Sequence, residues 1–148
     1  MNIFMISATG LVVAIGAALA FQAPINAALA RSIGDPVWAA ALSFGVGFVL
    51  LAGVAMMRDS SLSLTQLTQI PWWALIGGAL GAIWVLAAIW SVTALGAMTM
   101  FAAMILGQMI AALLIDSAGL LGLATRDISA TRLAAIVCVG FGVVLSYR

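Results

Sequence analysis

Histidine, lysine and glutamate are all missing from this sequence, and cysteine occurs once, at Cys138. A single cysteine excludes a disulfide within the chain, and without histidine it cannot build a metal cluster. The same absences remove the usual sets of general acid, general base and nucleophile. We therefore expect neither an enzyme nor a protein that binds a metal or another cofactor.

Charge is also scarce, because charged residues make up 6% of the 148 positions and the net charge is +1. So small a positive charge gives no basis for a nucleic-acid surface. Hydrophobic residues, in contrast, account for 66% of the chain. A soluble protein of this size exposes too much surface to hide them, whereas a bilayer solvates them. The composition predicts an all-α integral membrane protein.

Charged and polar breaks divide the sequence into five apolar stretches, each close to the 20 or so residues that cross a bilayer as a helix. A polar segment at 60–71 is the main predicted loop, followed by Trp72 and Trp73 at the headgroup layer. The predicted transmembrane helices, in one domain over residues 1–148, cover residues 3–29, 36–57, 72–92, 97–116 and 130–147.

The third and fourth of these helices come from one uncharged stretch, residues 72–115. Its 44 residues would extend about 66 Å as a helix, which is enough for two crossings. The weakest helical sequence within it ends at Gly96, so we place a short uncharged turn at 93–96.

Five crossings put the two termini on opposite sides of the membrane. Arg58, Arg126 and Arg132 then lie on one side, and Arg31 and Arg148 on the other. Three arginines against two give almost no positive-inside bias. Either the chain inserts in both orientations and pairs with itself antiparallel, or the α-amino group or another factor selects one orientation.

Polar side chains within the apolar stretches are candidates for a binding site. Gln22 and Asn26 are four residues apart and share one face of the first helix. Gln108 lies near the middle of the fourth helix, and Ser43 lies in the second. An amide in hydrocarbon is costly unless it is hydrogen-bonded. These groups either bond each other across helices or line a cavity and contact a substrate; for Ser43 the structural interpretation is favoured.

Two further residues carry alternatives of the same kind. Trp84 lies near mid-depth of the third helix and either packs in the bundle or forms the wall of a pocket. Asp116 ends the fourth helix and either pairs with Arg126 or Arg132 or forms a proton or cation site. The remaining carboxylates lie close in sequence to arginines, which predicts three ion pairs: Arg31–Asp35, Arg58–Asp59 and Arg126–Asp127.

Several short stretches together resemble one protein family over nearly the whole chain. The stretches are Gln22 with Ile25-Asn26-Ala27, Ser43 to Gly47, Pro71 to Trp73 with Gly77 to Ala82, Leu95 to Ala97, Gly107-Gln108, Asp116 with Gly119 to Gly122, and Arg132-Leu133 leading to Gly140. In order and spacing they resemble the five-helix inner-membrane exporters, a branch of the drug/metabolite transporter superfamily.

The resemblance implies a multi-pass protein of the bacterial inner membrane that forms half of a ten-helix transporter. Larger members of the superfamily contain two inverted five-helix repeats with the substrate site between them. A five-helix chain would reach that form as an antiparallel homodimer or with a homologous partner. Four-helix relatives use a glutamate in the first helix; this chain has Gln22 and Asn26 there, which argues against proton-coupled cation export.

The leading hypothesis is therefore an exporter of small neutral or amphipathic molecules that works by alternating access. The expected substrate-binding residues are Gln22, Asn26, Ser43, Trp84 and Gln108, with Asp116 as a possible ion or proton site. One alternative is a protein that binds or translocates membrane lipids through a groove open to the bilayer. Another is a scaffold subunit that docks through the 60–71 loop.

Orientation can be measured with reporters fused after Arg148, one active only inside the cell and one only outside. If the near balance of arginines permits both insertions, the two fusions should give comparable signals. A signal from one reporter alone would contradict dual insertion and would direct attention to a parallel dimer or a partner of opposite orientation.

Overall fold

The structure is a computed structural model that describes residues 3–58 and 63–147, with side chains described from residue 6 onward within those ranges. Over this part of the chain it contains helices and no strand, which confirms the all-α prediction. The chain divides into two compact units, Met1–Thr93 and Ala94–Arg148.

The first unit contains the helices α1 (Ile3–Ile33), α2 (Pro36–Met57) and α3 (Leu64–Thr68), then a 3₁₀ turn (Trp72–Leu75) and most of α4 (Ile76–Leu95). The second unit contains α5 (Ala97–Ala118), a 3₁₀ turn (Leu120–Gly122) and α6 (Ala130–Ser146). The short helix α3 lies in the polar segment and begins with a capping box between Ser63 and Gln66.

Four helical segments are long and apolar enough to cross a membrane: Ile6–Ile33, Pro36–Met57, Trp72–Leu95 and Ala97–Ala118. They agree with the first four predicted spans, although α1 extends four residues beyond the predicted end. The fifth, α6, has 17 residues and is therefore about 25 Å long, against a hydrocarbon core of about 30 Å. The described chain is thus a multi-pass membrane protein with four full-length spans and one shorter apolar helix.

The turn between α1 and α2 is built by local backbone chemistry. Gly34 adopts φ +82°, a conformation that favours glycine and ends α1. The Asp35 carboxylate then accepts hydrogen bonds from the backbone N–H groups of Val37, at 2.7 Å, and Trp38, at 3.2 Å. Pro36 follows at the first position of α2, where its missing N–H has no cost.

This cap explains why the predicted Arg31–Asp35 ion pair is wrong. The Asp35 carboxylate caps the N-terminus of α2, and no ion pair joins it to Arg31 in the described part of the chain. Arg126 and Asp127 also form no ion pair there. Asp59, the expected partner of Arg58, lies outside the described residues.

A single residue, Gly96, separates α4 from α5, where the sequence predicted a break over 93–96. Its backbone has φ +75° and ψ 161°, a region that is essentially restricted to glycine. Because one glycine is sufficient to end one helix and begin the next, Leu95 remains in α4.

Alanines rather than glycines allow α1 and α2 to pack closely. The buried cluster consists of Ala27 and Ala30 of α1, Ala39 and Ala40 of α2, and Val85 and Ile89 of α4. Small side chains let backbones approach in the absence of a hydrophobic driving force between helices. The GxxxG pair of α4 plays a smaller part: a Cβ at Gly77 would meet no described atom within 4 Å, and one at Gly81 would lie 3.4 Å from the Phe44 ring.

Replacing Gly96 tests this single-residue break. Gly96→Ala should lower the free energy of unfolding in detergent micelles by about 1–3 kcal/mol, because alanine is strained at this φ and ψ. Gly107→Ala is the matched control: its Cβ would enter open space within α5, and it should be neutral or stabilise by up to about 1 kcal/mol. Equal effects of the two changes would contradict the assigned conformation of Gly96.

Candidate functional site

A pair of amides lies on the buried face of α1. Gln22 and Asn26 are one helical turn apart, and Asn26 leaves only 4% of its surface exposed. Its neighbours on that face, Ala23 and Ala27, are 1% and 2% exposed. The alanines pack tightly, so the two amides are the polar groups on an otherwise apolar face.

The Gln22 side chain leaves one polar atom without a partner. Its carbonyl oxygen, Oε1, is buried and accepts no hydrogen bond within the described part of the chain. Leaving such an acceptor unsatisfied costs roughly 1–3 kcal/mol. A group that costs stability in the isolated chain is a candidate for contact with another molecule, since a donor from outside would remove the penalty.

Pro24 lies between the two amides and weakens the helix at their level. It has no N–H and therefore cannot donate to the carbonyl of Ala20, yet α1 continues from Ile3 to Ile33. Membrane helices tolerate proline when neighbouring groups compensate for the lost bond. The amide pair thus lies beside a position where α1 lacks one backbone hydrogen bond, and such positions favour bending.

The other predicted binding residues are distributed over both units. Ser43 of α2 and Trp84 of α4 are partly buried in the first unit, and Trp84 packs against the alanine-rich cluster. Gln108 of α5 belongs to the second unit, where its side chain is exposed. Four of the five predicted substrate-binding residues therefore lie in the first unit.

Asp116 forms an ion pair with Arg132, one of the two partners expected from the sequence. The Asp116 and Arg132 side chains are 25% and 30% exposed. Two backbone contacts reinforce the pair: the Asp116 carbonyl accepts from the Arg126 N–H at 2.9 Å, and Arg132 Nη1 donates to the Asp127 carbonyl at 3.3 Å. This network connects both ends of the loop between α5 and α6.

Each unit also contains a cavity that the sequence analysis did not anticipate. The larger, of about 450 Å³, lies in the first unit between the α1–α2 turn and the last turns of α4. Its lining comprises Ala27, Ala30, Arg31, Gly34, Pro36, Leu86, Ile89, Trp90 and Thr93. The smaller, of about 190 Å³, lies between α5 and α6 beside Arg132. No single sequence motif marks either cavity, because the lining residues come from separate helices.

Comparison with known families decides the assignment. A family model described as "Putative inner membrane exporter, YdcZ" matches residues 7–145. The chain belongs to the YdcZ family. No curated protein and no solved structure matches it. Membership in the YdcZ family confirms the resemblance seen in the sequence and, with the apolar helices, identifies a multi-pass inner-membrane transporter.

Replacing Asp116 or Arg132 tests whether their pair is structural. Asp116→Asn and Arg132→Gln should each lower the free energy of unfolding by about 1 kcal/mol, as expected for a partly exposed pair. The double variant should lose less than the sum of the two, because both changes remove the same interaction.

Arg126→Gln is the control, since Arg126 contacts Asp116 through its backbone only, and it should have little effect on unfolding. Loss of transport in Asp116→Asn without loss of stability would contradict a purely structural pair and would support an ion or proton site.

Proposed function

We propose that this YdcZ-family transporter exports small neutral or amphipathic molecules, and that Gln22 and Asn26 bind them. The observation that carries the proposal is the buried Oε1 of Gln22, which has no partner among the described residues. A substrate with an N–H or O–H group would donate to this oxygen and satisfy it.

The surroundings of the amides favour a neutral ligand with apolar surface. Within the described part of the first unit, Asn26 is the one buried polar residue, and the rest of the buried set is apolar. A charged ligand would enter such a region without a counter-ion, at a large desolvation cost. A ligand with a hydrogen-bonding group and an apolar body avoids that cost.

An antiparallel dimer that alternates its access between the two sides is the assembly we propose. In an 18-residue apolar segment of each of the four spans, only 6–17% of the residues are buried within the chain. Most of the surface of the spans is therefore left for lipid or a second copy. The nearly balanced arginines permit opposite orientations, and a donor from the second copy or from substrate would meet Gln22. Pro24 and Gly96 supply positions where helices can bend during the alternation.

A leucine substitution separates a binding role for Gln22 from a packing role. Gln22→Leu removes the unsatisfied oxygen, so the unliganded protein should be as stable as the wild type or more stable by up to about 2 kcal/mol. The same variant should lose binding. A screen of neutral amphipathic compounds by thermal shift would identify a stabilising ligand, and Gln22→Leu should abolish that ligand's shift and its transport by proteoliposomes.

Gln69→Leu makes the same chemical change at an exposed amide in the polar segment and should leave the ligand-induced shift unchanged. A Gln22→Leu protein that is destabilised but still binds and transports the ligand would contradict the proposal, because Gln22 would then serve the packing of α1 alone.

A further inference from the structure

We infer that the cavity of the first unit is a binding site for an anionic phospholipid, with Arg31 binding the phosphate of the headgroup. The site is separate from the amide pair, since neither Gln22 nor Asn26 lines it. The lipid is a bound component of the protein in this proposal and is independent of the exported substrate.

Arg31 supplies the charge that selects an anion. Its expected partner Asp35 is occupied with the N–H groups of Val37 and Trp38, and Arg31 has no ion pair among the described residues. Among the described residues of the second unit, Arg132 is neutralised by its ion pair with Asp116. A guanidinium presents a planar fork of donors that matches two phosphate oxygens, so Arg31 is the unpaired cation on the wall of this cavity.

The other lining residues match the remainder of a phospholipid. Ala27, Ala30, Leu86 and Ile89 supply an apolar surface for the glycerol and the first acyl carbons. Trp90 is 71% exposed, and its indole N–H has no acceptor among the described residues, so it can donate to a headgroup or ester oxygen. Tryptophan is enriched at this depth of the bilayer for the same reason.

The position of the cavity favours a lipid over a soluble anion. Arg31 lies two residues before the end of α1 at Ile33, and Thr93 lies two residues before the end of α4 at Leu95. Because both are in the last turns of membrane-spanning helices, the cavity opens at the level of the lipid phosphates. A soluble phosphate would contact Arg31 but would leave the apolar lining unused.

Native mass spectrometry of the full chain in detergent tests the site. Wild type should retain palmitoyl-oleoyl phosphatidylglycerol in preference to phosphatidylcholine with the same acyl chains. Arg31→Gln should reduce that preference about fivefold, as expected for one cation at the lipid surface. Arg58→Gln removes an exposed arginine at the end of α2 and gives the protein the same net charge as Arg31→Gln. This control variant should retain the preference.

Substitution of two exposed tryptophans, one in the cavity and one outside it, provides an independent measurement. Trp90→Ala should weaken retention of phosphatidylglycerol, whereas Trp72→Ala, at a residue 76% exposed, should not. Unchanged retention in both Arg31→Gln and Trp90→Ala would overturn the proposal. Equal losses in Arg31→Gln and Arg58→Gln would also overturn it, by showing nonspecific charge attraction. Full competition by soluble glycerol phosphate would overturn the lipid assignment in favour of a soluble phosphate ligand.

Discussion

The constraint on which this structure depends is the absence of water in the bilayer core. Every polar group within a span must find a partner in the protein, in another molecule or at the membrane surface. The chain meets this constraint mainly by having few such groups: the buried residues described in the first unit are apolar except for Asn26. Against this background the unpartnered Oε1 of Gln22 is an exception, and the proposed substrate-binding role of the amide pair follows from that exception.

The same constraint accounts for the different environments of two arginines. Arg132 pairs with Asp116, and together they contact the backbone of the loop between α5 and α6. Arg31 has no such partner in the described chain, because the nearby carboxylate of Asp35 caps α2. One arginine therefore stabilises a loop, while the other remains available to an anion. The two roles could not be distinguished by charge or by sequence spacing alone.

Features set by neighbouring residues could be predicted from the sequence. Asp35 followed by Pro36 marks the start of α2, Ser129 caps α6, and the four long spans follow from uninterrupted apolar residues. Prediction failed where two local interactions compete for one group, as at Asp35, whose carboxylate satisfies backbone N–H groups instead of Arg31. It also failed for the cavity beside Arg31, whose lining residues come from separate helices and leave no joint pattern in the sequence.

The residues at which the helices pack could likewise not be predicted from the sequence pattern. The buried cluster of the first unit uses four alanines, Ala27, Ala30, Ala39 and Ala40. Alanine is too common in apolar helices for its spacing to mark a contact. Gln22 and Asn26 were recognisable because an amide is rare and costly in a span, but their burial, and the lack of a partner for Gln22, are properties of the folded unit.

Water access to position 22 within the membrane tests the central claim most directly. In a Cys138→Ser background, Gln22→Cys can be exposed in intact membranes to a charged methanethiosulfonate reagent, which reacts with thiolate and hence with thiols in contact with water. Val49→Cys, at an outward-facing residue 67% exposed on α2, is the lipid-facing comparison. A transport site at Gln22 predicts labelling at position 22 and little labelling at position 49. If neither position 22 nor position 49 were labelled, the native amide at position 22 would be sealed in a packed bundle. That result would contradict the account.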